Sequence, residues 1–223
     1  MTYGLLFDMD GVLADTEGVN VTATSAMFME LYGVAPPPEA YRPFVGKGAV
    51  RYTAGPAEAM GLEIDIDRAV ARRAEIFAEM LADAEDISLP GVHRLIHAVR
   101  AARDWRVAIA TSSPADKAVV ALRASKIDVD WFDAYVCGDM VQRKKPDPAI
   151  YLMAAERLGI PPERCVGVED APPGVEALRA AGMKSIAVTN TFDAPDLADA
   201  DWVVNSLEEV DVAGLERLLR GGA

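Results

Sequence analysis

Two carboxylates set two residues apart, Asp8 and Asp10, follow the apolar run Tyr3–Phe7 and precede Gly11. At the end of an extended strand, residues i and i+2 point to the same side, so both carboxyls can serve one site. Gly11 then lets the chain turn sharply away. Two neighbouring carboxylates repel, and they either share a proton or bind a cation. An EF-hand calcium loop is excluded, because it needs an oxygen donor where Val12 stands and a glycine two residues beyond Gly11. Taken alone, the pattern also fits an acidic strand-to-loop turn.

Three further polar sites follow in order, each where an apolar run gives way to a loop. Val107–Ala110 ends in Thr111-Ser112-Ser113, which supplies hydroxyls and fresh backbone N–H groups. Lys145 stands before Pro146-Asp147-Pro148, and an ammonium there can neutralise a phosphate. Val166–Val168 ends in Glu169-Asp170, a second acidic pair. Each has a plain structural alternative: a Ser/Thr turn, a solvated lysine, or acids at a helix N-terminus. Four such sites at four successive strand ends make one functional centre the better reading.

The elements that must position them are legible in the apolar pattern. Strands are predicted at Tyr3–Phe7, Arg106–Ala110, Ala134–Cys137, Arg164–Val168, Ser185–Val188 and Asp201–Val204. Helical patterns lie between most of them, at Ala115–Ser125, Pro148–Leu158, Gly174–Ala181 and Leu207–Leu219. Strands alternating with helices predict an α/β fold, a Rossmann-like parallel sheet covered on both faces. Its ligands bind beyond the C-terminal strand ends, where all four polar sites stand. Pro172-Pro173 suits a helix start, where a missing N–H does no harm.

From Glu17 to Ser88 the alternation breaks. Helices are expected there at Val19–Tyr32, Ala57–Met60 and Asp67–Ala84, divided by Pro36-Pro37-Pro38 and Gly46-Lys47-Gly48. The chain thus divides into an α/β core, residues 1–16 and 88–223, and an inserted helical domain, residues 17–87.

Composition bounds the partners. The 223 residues carry a net charge of −13, so nucleic acid and anionic membranes would be repelled over most of the surface. A small phosphorylated ligand remains compatible, because a few cations in a cleft invert the local field. No apolar run approaches the roughly 18 residues needed to span a bilayer. The opening residues lack the basic and apolar regions of a secretory signal. Cys137 and Cys165 fit no metal or redox spacing and read as buried thiols in a reducing cytoplasm. His93 and His97 stand one helical turn apart without a third zinc ligand, and read as packing residues. Nothing demands more than a monomer.

The ordered set Asp-x-Asp-Gly, Thr, Lys-Pro and Glu-Asp resembles the haloacid dehalogenase superfamily. Asp8–Glu17 and Gly167–Gly174 are similar to its β-phosphoglucomutase and phosphoglycolate phosphatase branch, as is the helical insert after the first motif. The resemblance spans essentially the whole chain, and Asp10 sets it apart from dehalogenases and phosphonate hydrolases. It implies that Asp8 attacks phosphorus to give an aspartyl-phosphate, while Asp10 serves as general acid and base. It implies Mg²⁺ at Asp8, the Asp10 carbonyl, Glu169 and Asp170. Thr111, Ser112 and Lys145 would hold the phosphoryl group. The insert would be a cap hinged near Ala14–Glu17 and Asp86–Gly91. Gly46-Lys47-Gly48-Ala49-Val50-Arg51 looks like the branch's specificity loop, with Lys47 and Arg51 gripping a second anionic group. Arg73 would add a cap cation, and Thr16 and Asn20 complete the expected substrate-binding set.

The activity implied is hydrolysis of a sugar phosphate or a phosphoglycolate-like acid. The alternative is a β-phosphoglucomutase-type isomerase. Mutases of this kind typically carry histidine where this chain has Asn20, which tilts the reading towards hydrolysis. Tyr41–Gly46 also resembles a sequence in plant chloroplast proteins that carry such a domain. A non-catalytic binding module would have lost a motif residue, and none is lost.

Overall fold

The computed structural model describes residues 1–221. Its strands are β1 (Tyr3–Phe7), β2 (Trp105–Ala110), β3 (Ala134–Val136), β4 (Cys165–Glu169), β5 (Lys184–Val188) and β6 (Trp202–Val204). They form one sheet in the order β3-β2-β1-β4-β5-β6. Every neighbouring pair runs parallel. The chain winds outward from β1 to β3, then returns to the other side of β1 for β4 to β6. That reversal leaves a crevice beyond the C-terminal ends of β1 and β4. In the register, Phe7 lies level with Ile109 on one side and Val168 on the other. The loops after β1, β2 and β4 therefore start at one edge.

Three helices lie between β1 and β2's own helix: α1 (Glu17–Tyr32), α2 (Ala49–Ala59) and α3 (Ile66–Leu81). The core helices are α4 (Val92–Ala101), α5 (Ala115–Ala124), α6 (Ala149–Leu158), α7 (Pro172–Ala180) and α8 (Val212–Leu219). Alternate strand residues face opposite layers. Leu5, Phe7, Ile109 and Val168 pack with Leu95, Ala121 and Leu215 from α4, α5 and α8. Leu6, Ala108 and Cys165 pack with Tyr151, Ala154 and Leu178 from α6 and α7. Burial on both faces is why these strands are near-continuous apolar runs.

The helices of the insert gather around their own apolar cluster, with Met27, Phe28, Tyr41 and Phe77 at its centre. This helical cap meets the core through α3 against α5. The two chain crossings between cap and core lie side by side. Asp15 N–H donates to Ile87 O at 2.8 Å, and Leu89 N–H to Leu13 O at 3.2 Å.

Four expectations about elements need correction. The short helix expected at Ala57–Met60 is the longer α2, which begins directly after Gly48 and carries Pro56 inside it. Tertiary packing overrides the helix-breaking residues there: a Cβ on Gly55 would lie 2.2 Å from the Phe44 ring. The single helix expected over Leu207–Leu219 is instead a 3₁₀ turn, Leu207–Glu209, followed by α8. Asp211 separates them by capping α8, accepting from Gly214 N–H at 2.7 Å. The helix expected at Asp67–Ala84 runs from Ile66 to Leu81. Helix α4 had no counterpart among the expected helices, although Val92, Leu95, Ile96 and Val99 bury one helical face.

Cys137 and Cys165 are free and buried. His93 and His97 both pack against the Trp131 ring, and His93 Nε2 meets Ser125 O at 3.0 Å. Among the described residues, no helix is long and apolar enough to cross a membrane.

Candidate active site

Asp8 follows β1 directly, its N–H still bonded to Val168 O at 3.0 Å. The chain then coils tightly, with the N–H groups of Leu13 and Ala14 both returning to Met9 O. Gly11 permits the coil by taking φ 76°. Met9, Val12 and Leu13 go into the core, which leaves Asp8 and Asp10 towards the crevice. A Cβ at position 11 would also lie 1.9 Å from Asp170 Oδ2. Gly11→Ala is expected to displace Asp170, lower kcat by about 100-fold and cost roughly 1–3 kcal/mol of stability. Steady-state kinetics beside a urea melt would check it, and unchanged kcat would refute the steric argument.

Lys145 holds Asp8 in place. Its Nζ donates to Asp8 Oδ1 at 2.5 Å, Glu169 Oε1 at 2.6 Å and Ala110 O at 3.2 Å, which uses all three N–H bonds. Tyr151 donates its hydroxyl hydrogen to the same Glu169 oxygen. Burial alone would lower Lys145, but the Asp8 and Glu169 carboxylates hold its ammonium above the usual lysine range.

Asp8, Glu169 and Asp170 each present a carboxylate oxygen, and these atoms lie within 4.8 Å of one another. All three residues are buried, with Lys145 as the cation in contact. Burial pushes Asp8 up to about 7, with Lys145 opposing and Glu169 and Asp10 adding to the rise. Burial and the charges of Glu169 and Asp8 drive Asp170 well above the carboxylate range. Crowded, desolvated hard-oxygen donors of this kind fit a divalent cation such as Mg²⁺.

Asp10 has a different set of partners. Its Oδ1 accepts from Thr16 Oγ1 at 2.5 Å and Lys117 Nζ at 2.8 Å, and its Oδ2 from Ser113 Oγ at 2.6 Å. Burial opposes ionisation, yet the Lys117 charge and these three donors together hold Asp10 below the usual range. Lys117 also donates to Ser113 Oγ at 2.9 Å and sits 4.8 Å from the centre of the Phe77 ring of the cap.

Core and cap enclose a cavity of about 50 Å³ over these groups. From the core it is lined by Asp8, Asp10, Ser112, Ser113, Lys117 and Asp170, and from the cap by Glu17, Asn20, Tyr52 and Arg73, with Phe44–Gly46 and Gly48-Ala49. Ser112 Oγ is buried there without a hydrogen-bond partner. Arg73 is buried, with Nε donating to Thr24 Oγ1 at 2.8 Å and Nη2 to Asn20 Oδ1 at 2.9 Å. Its guanidinium lies 5.0 Å from the Tyr52 ring centre. Tyr52 donates to Glu17 Oε1 at 3.1 Å, and burial raises the Glu17 carboxyl against that bond.

The structure therefore brings together Asp8, Asp10, Thr16, Asn20, Gly46, Arg73, Ser112, Lys145, Glu169 and Asp170. Six expected residues do not line the cavity: Thr16, Lys145 and Glu169 reach it only through their bonds to Asp10, Asp8 and Lys145, and Thr111, Lys47 and Arg51 lie apart. Thr111 is fully buried, and its Oγ1 accepts the Ser113 N–H at 3.1 Å. Arg51 pairs with Glu58 at 3.0 Å and lies over the Phe44 ring, while Lys47 does not line the cavity. Lys117, Ser113, Glu17, Tyr52 and Tyr151 were not foreseen. Lys117 lies in the first turn of α5 and reaches back to Ser113 in the loop before it, a contact no local spacing signals.

A model of the haloacid dehalogenase-like hydrolase family matches residues 4–182. The chain is 35% identical over 219 residues to Hexitol phosphatase A of Escherichia coli, covering 94% of this chain and 93% of that one. It is 36% identical over 198 residues to the chloroplast protein SUPPRESSOR OF QUENCHING 1 of Arabidopsis thaliana, covering 88% of this chain but only 19% of that much longer protein. Among solved structures, a CbbY protein of Rhodobacter sphaeroides with xylulose 1,5-bisphosphate superposes with TM-score 0.85 at 29% identity, over 96% of this chain and 99% of that one. A β-phosphoglucomutase of Clostridium difficile shares the fold, with TM-score 0.89 at 22% identity over 99% and 98% of the two chains. The chain belongs to the haloacid dehalogenase-like hydrolase family, as a hydrolase of the phosphatase type.

Proposed function

We propose that this protein is a Mg²⁺-dependent phosphatase of a small phosphorylated metabolite, a sugar phosphate or a phosphoglycolate-like acid, working through an aspartyl-phosphate. The observation that carries the reading is the pairing of two differently held carboxylates: Asp8 against Lys145 at 2.5 Å, and Asp10 against Thr16, Ser113 and Lys117. Asp8 Oδ attacks phosphorus, and the bond from phosphorus to the ester oxygen breaks. Asp10, whose neighbours favour its ionised form, must take up a proton as substrate closes on it, and it gives that proton to the leaving oxygen. Now a carboxylate, it takes a proton from the water that attacks the aspartyl-phosphate, and inorganic phosphate leaves. The ionised form favoured by Lys117, Ser113 and Thr16 is the one this second half requires.

Ser112, with a free buried hydroxyl on the cavity wall, supplies a donor to the phosphoryl oxygens, and Lys145 offsets their charge. Thr111 supports this loop from beneath by fixing the Ser113 N–H. Asp8, Asp170, Glu169 and the Asp10 carbonyl would hold Mg²⁺, which when bound offsets the negative charge shared by Asp8 and the phosphate.

The chain works as two domains in this reading, a core of residues 1–16 and 88–223 and a cap of residues 17–87. In this reading the cap swings about the paired crossings at Asp15 and Ile87 as substrate enters and product leaves. Lys47 and Arg51, outside the closed cavity, would meet substrate during that opening. Two buried free thiols suit a reducing cytoplasm as the working compartment.

The isomerase alternative is disfavoured by Asn20, whose carboxamide oxygen is bonded to Arg73 and cannot exchange a proton as histidine does. The test is to incubate protein with Mg²⁺ and a panel of phosphomonoesters, and with β-glucose 1-phosphate plus a trace of the 1,6-bisphosphate. Free phosphate, lost with EDTA and restored by Mg²⁺, is the expected product. Glucose 6-phosphate as the main product would replace this reading with the isomerase.

A further inference from the structure

We infer that Thr191, in the loop after β5, is a positioning residue for the cation ligand Asp170, and that this loop ties Asp170 to the cap through Phe192 and Arg42. The inference rests on the Mg²⁺ part of the proposed function and adds residues outside the four strand-end motifs. In the register, Ala187 of β5 lies level with Glu169 of β4. The loop therefore leaves the sheet beside the acidic pair, on the edge where the crevice opens.

Three consecutive residues of that loop touch three parts of the site. Asn190 Nδ2 donates to Gly11 O at 2.8 Å, which fastens the loop to the coil that carries Asp8 and Asp10. Thr191 Oγ1 and Asp170 Oδ2 both crowd the bare Cα of Gly11: a Cβ there would lie 2.7 Å from the first and 1.9 Å from the second. The Thr191 hydroxyl donates to the Asp170 carboxylate. Lys145 does not supply that donor, because its three N–H bonds go to Asp8, Glu169 and Ala110. Phe192 packs against the apolar cluster of the cap, and its ring centre is 5.0 Å from Arg42 Cζ. Arg42 belongs to the cap, and its Nη2 also pairs with Asp196 Oδ2 of the same loop at 3.1 Å. A hydroxyl bonded to a carboxylate ligand fixes the ligand's orientation before the cation arrives. The seated cap steadies the loop that carries this hydroxyl.

The test is Mg²⁺ affinity measured by calorimetry without substrate, beside a urea melt. Thr191 is half-buried in a surface loop, so Thr191→Val removes the hydroxyl at little change of shape and spares the core. Its Mg²⁺ affinity is expected to fall by about tenfold or more, with an unchanged urea midpoint in the absence of Mg²⁺, and Thr191→Ser is expected to restore most of it. Arg42→Ala is expected to cost about two- to fivefold in Mg²⁺ affinity, the scale of an exposed ion pair. It should cost nothing further in the Thr191→Val background, because the link runs through that hydroxyl. Normal Mg²⁺ affinity in Thr191→Val, or an equal loss in Thr191→Ser, overturns the positioning role and leaves the metal reading intact. No effect of Arg42→Ala, or losses that multiply in the double variant, overturns the tie to the cap. No Mg²⁺ binding by the unmodified protein overturns the metal reading and this inference with it.

Discussion

Asp8→Asn is expected to stop phosphate release while the protein stays folded. The loss is expected to exceed about 10⁴-fold in kcat, the scale on which removal of a covalent nucleophile acts. The substitution changes shape hardly at all but removes the charge and lone pair that attack phosphorus. Stability should survive for a specific reason. Asp8, Glu169 and Asp170 crowd within 4.8 Å, and burial with mutual repulsion already raises Asp8 and Asp170. One carboxylate fewer relieves part of that repulsion, even though Lys145 loses its 2.5 Å partner. In the absence of Mg²⁺, the urea midpoint is expected to match or exceed that of the unmodified protein. The same loss should shrink the stabilisation gained on adding Mg²⁺, since one donor is gone. A folded variant that still releases phosphate at a tenth of the normal rate would remove Asp8 from the mechanism.

Lys117→Met is expected to lower kcat by about 100-fold or more, within the range of general acid–base catalysis, with little change in KM. Methionine keeps a flexible apolar side chain of similar length but loses the ammonium over the Phe77 ring and the bonds to Asp10 Oδ1 and Ser113 Oγ. Asp10 then turns more freely and loses its neighbouring positive charge. The comparison that tests the argument is a double-mutant cycle with Asp10→Asn, itself expected to cost about 10²–10⁴-fold. If Lys117 acts through Asp10, the double variant should be hardly slower than Asp10→Asn alone. Independent, multiplying losses would show that Lys117 works elsewhere, and an unchanged kcat would show that it does not work at all.

Lys117 illustrates where reading the chain runs out. It belongs to an ordinary helical pattern, and its partner Asp10 is 107 positions away. The strand-end residues were more legible. Asp8, Thr111 and Glu169 each follow an apolar run, and a parallel sheet in even register brings such ends level. The cap was legible as helices but not in detail. Helix α2 runs through Gly55 and Pro56, and the Phe44 ring fills the space that a side chain at Gly55 would take. That contact is set by packing, which no local propensity reports.

By itself, then, the sequence determined the α/β core, the inserted helices and the acidic, hydroxyl and lysine groups at the strand ends. Those features follow from apolar runs and from the residues next to them. Only the tertiary structure decided which side chains share one cavity. It put Ser112 and Ser113 on the wall and Thr111 beneath it. It turned Arg51 outward to Glu58 and brought Arg73 inward to Asn20, 53 positions away. The physical reason is that a helix's rotation about its axis is set by what it packs against. Cap and core had to come together before Glu17, Tyr52 and Arg73 could face Asp8 and Asp10.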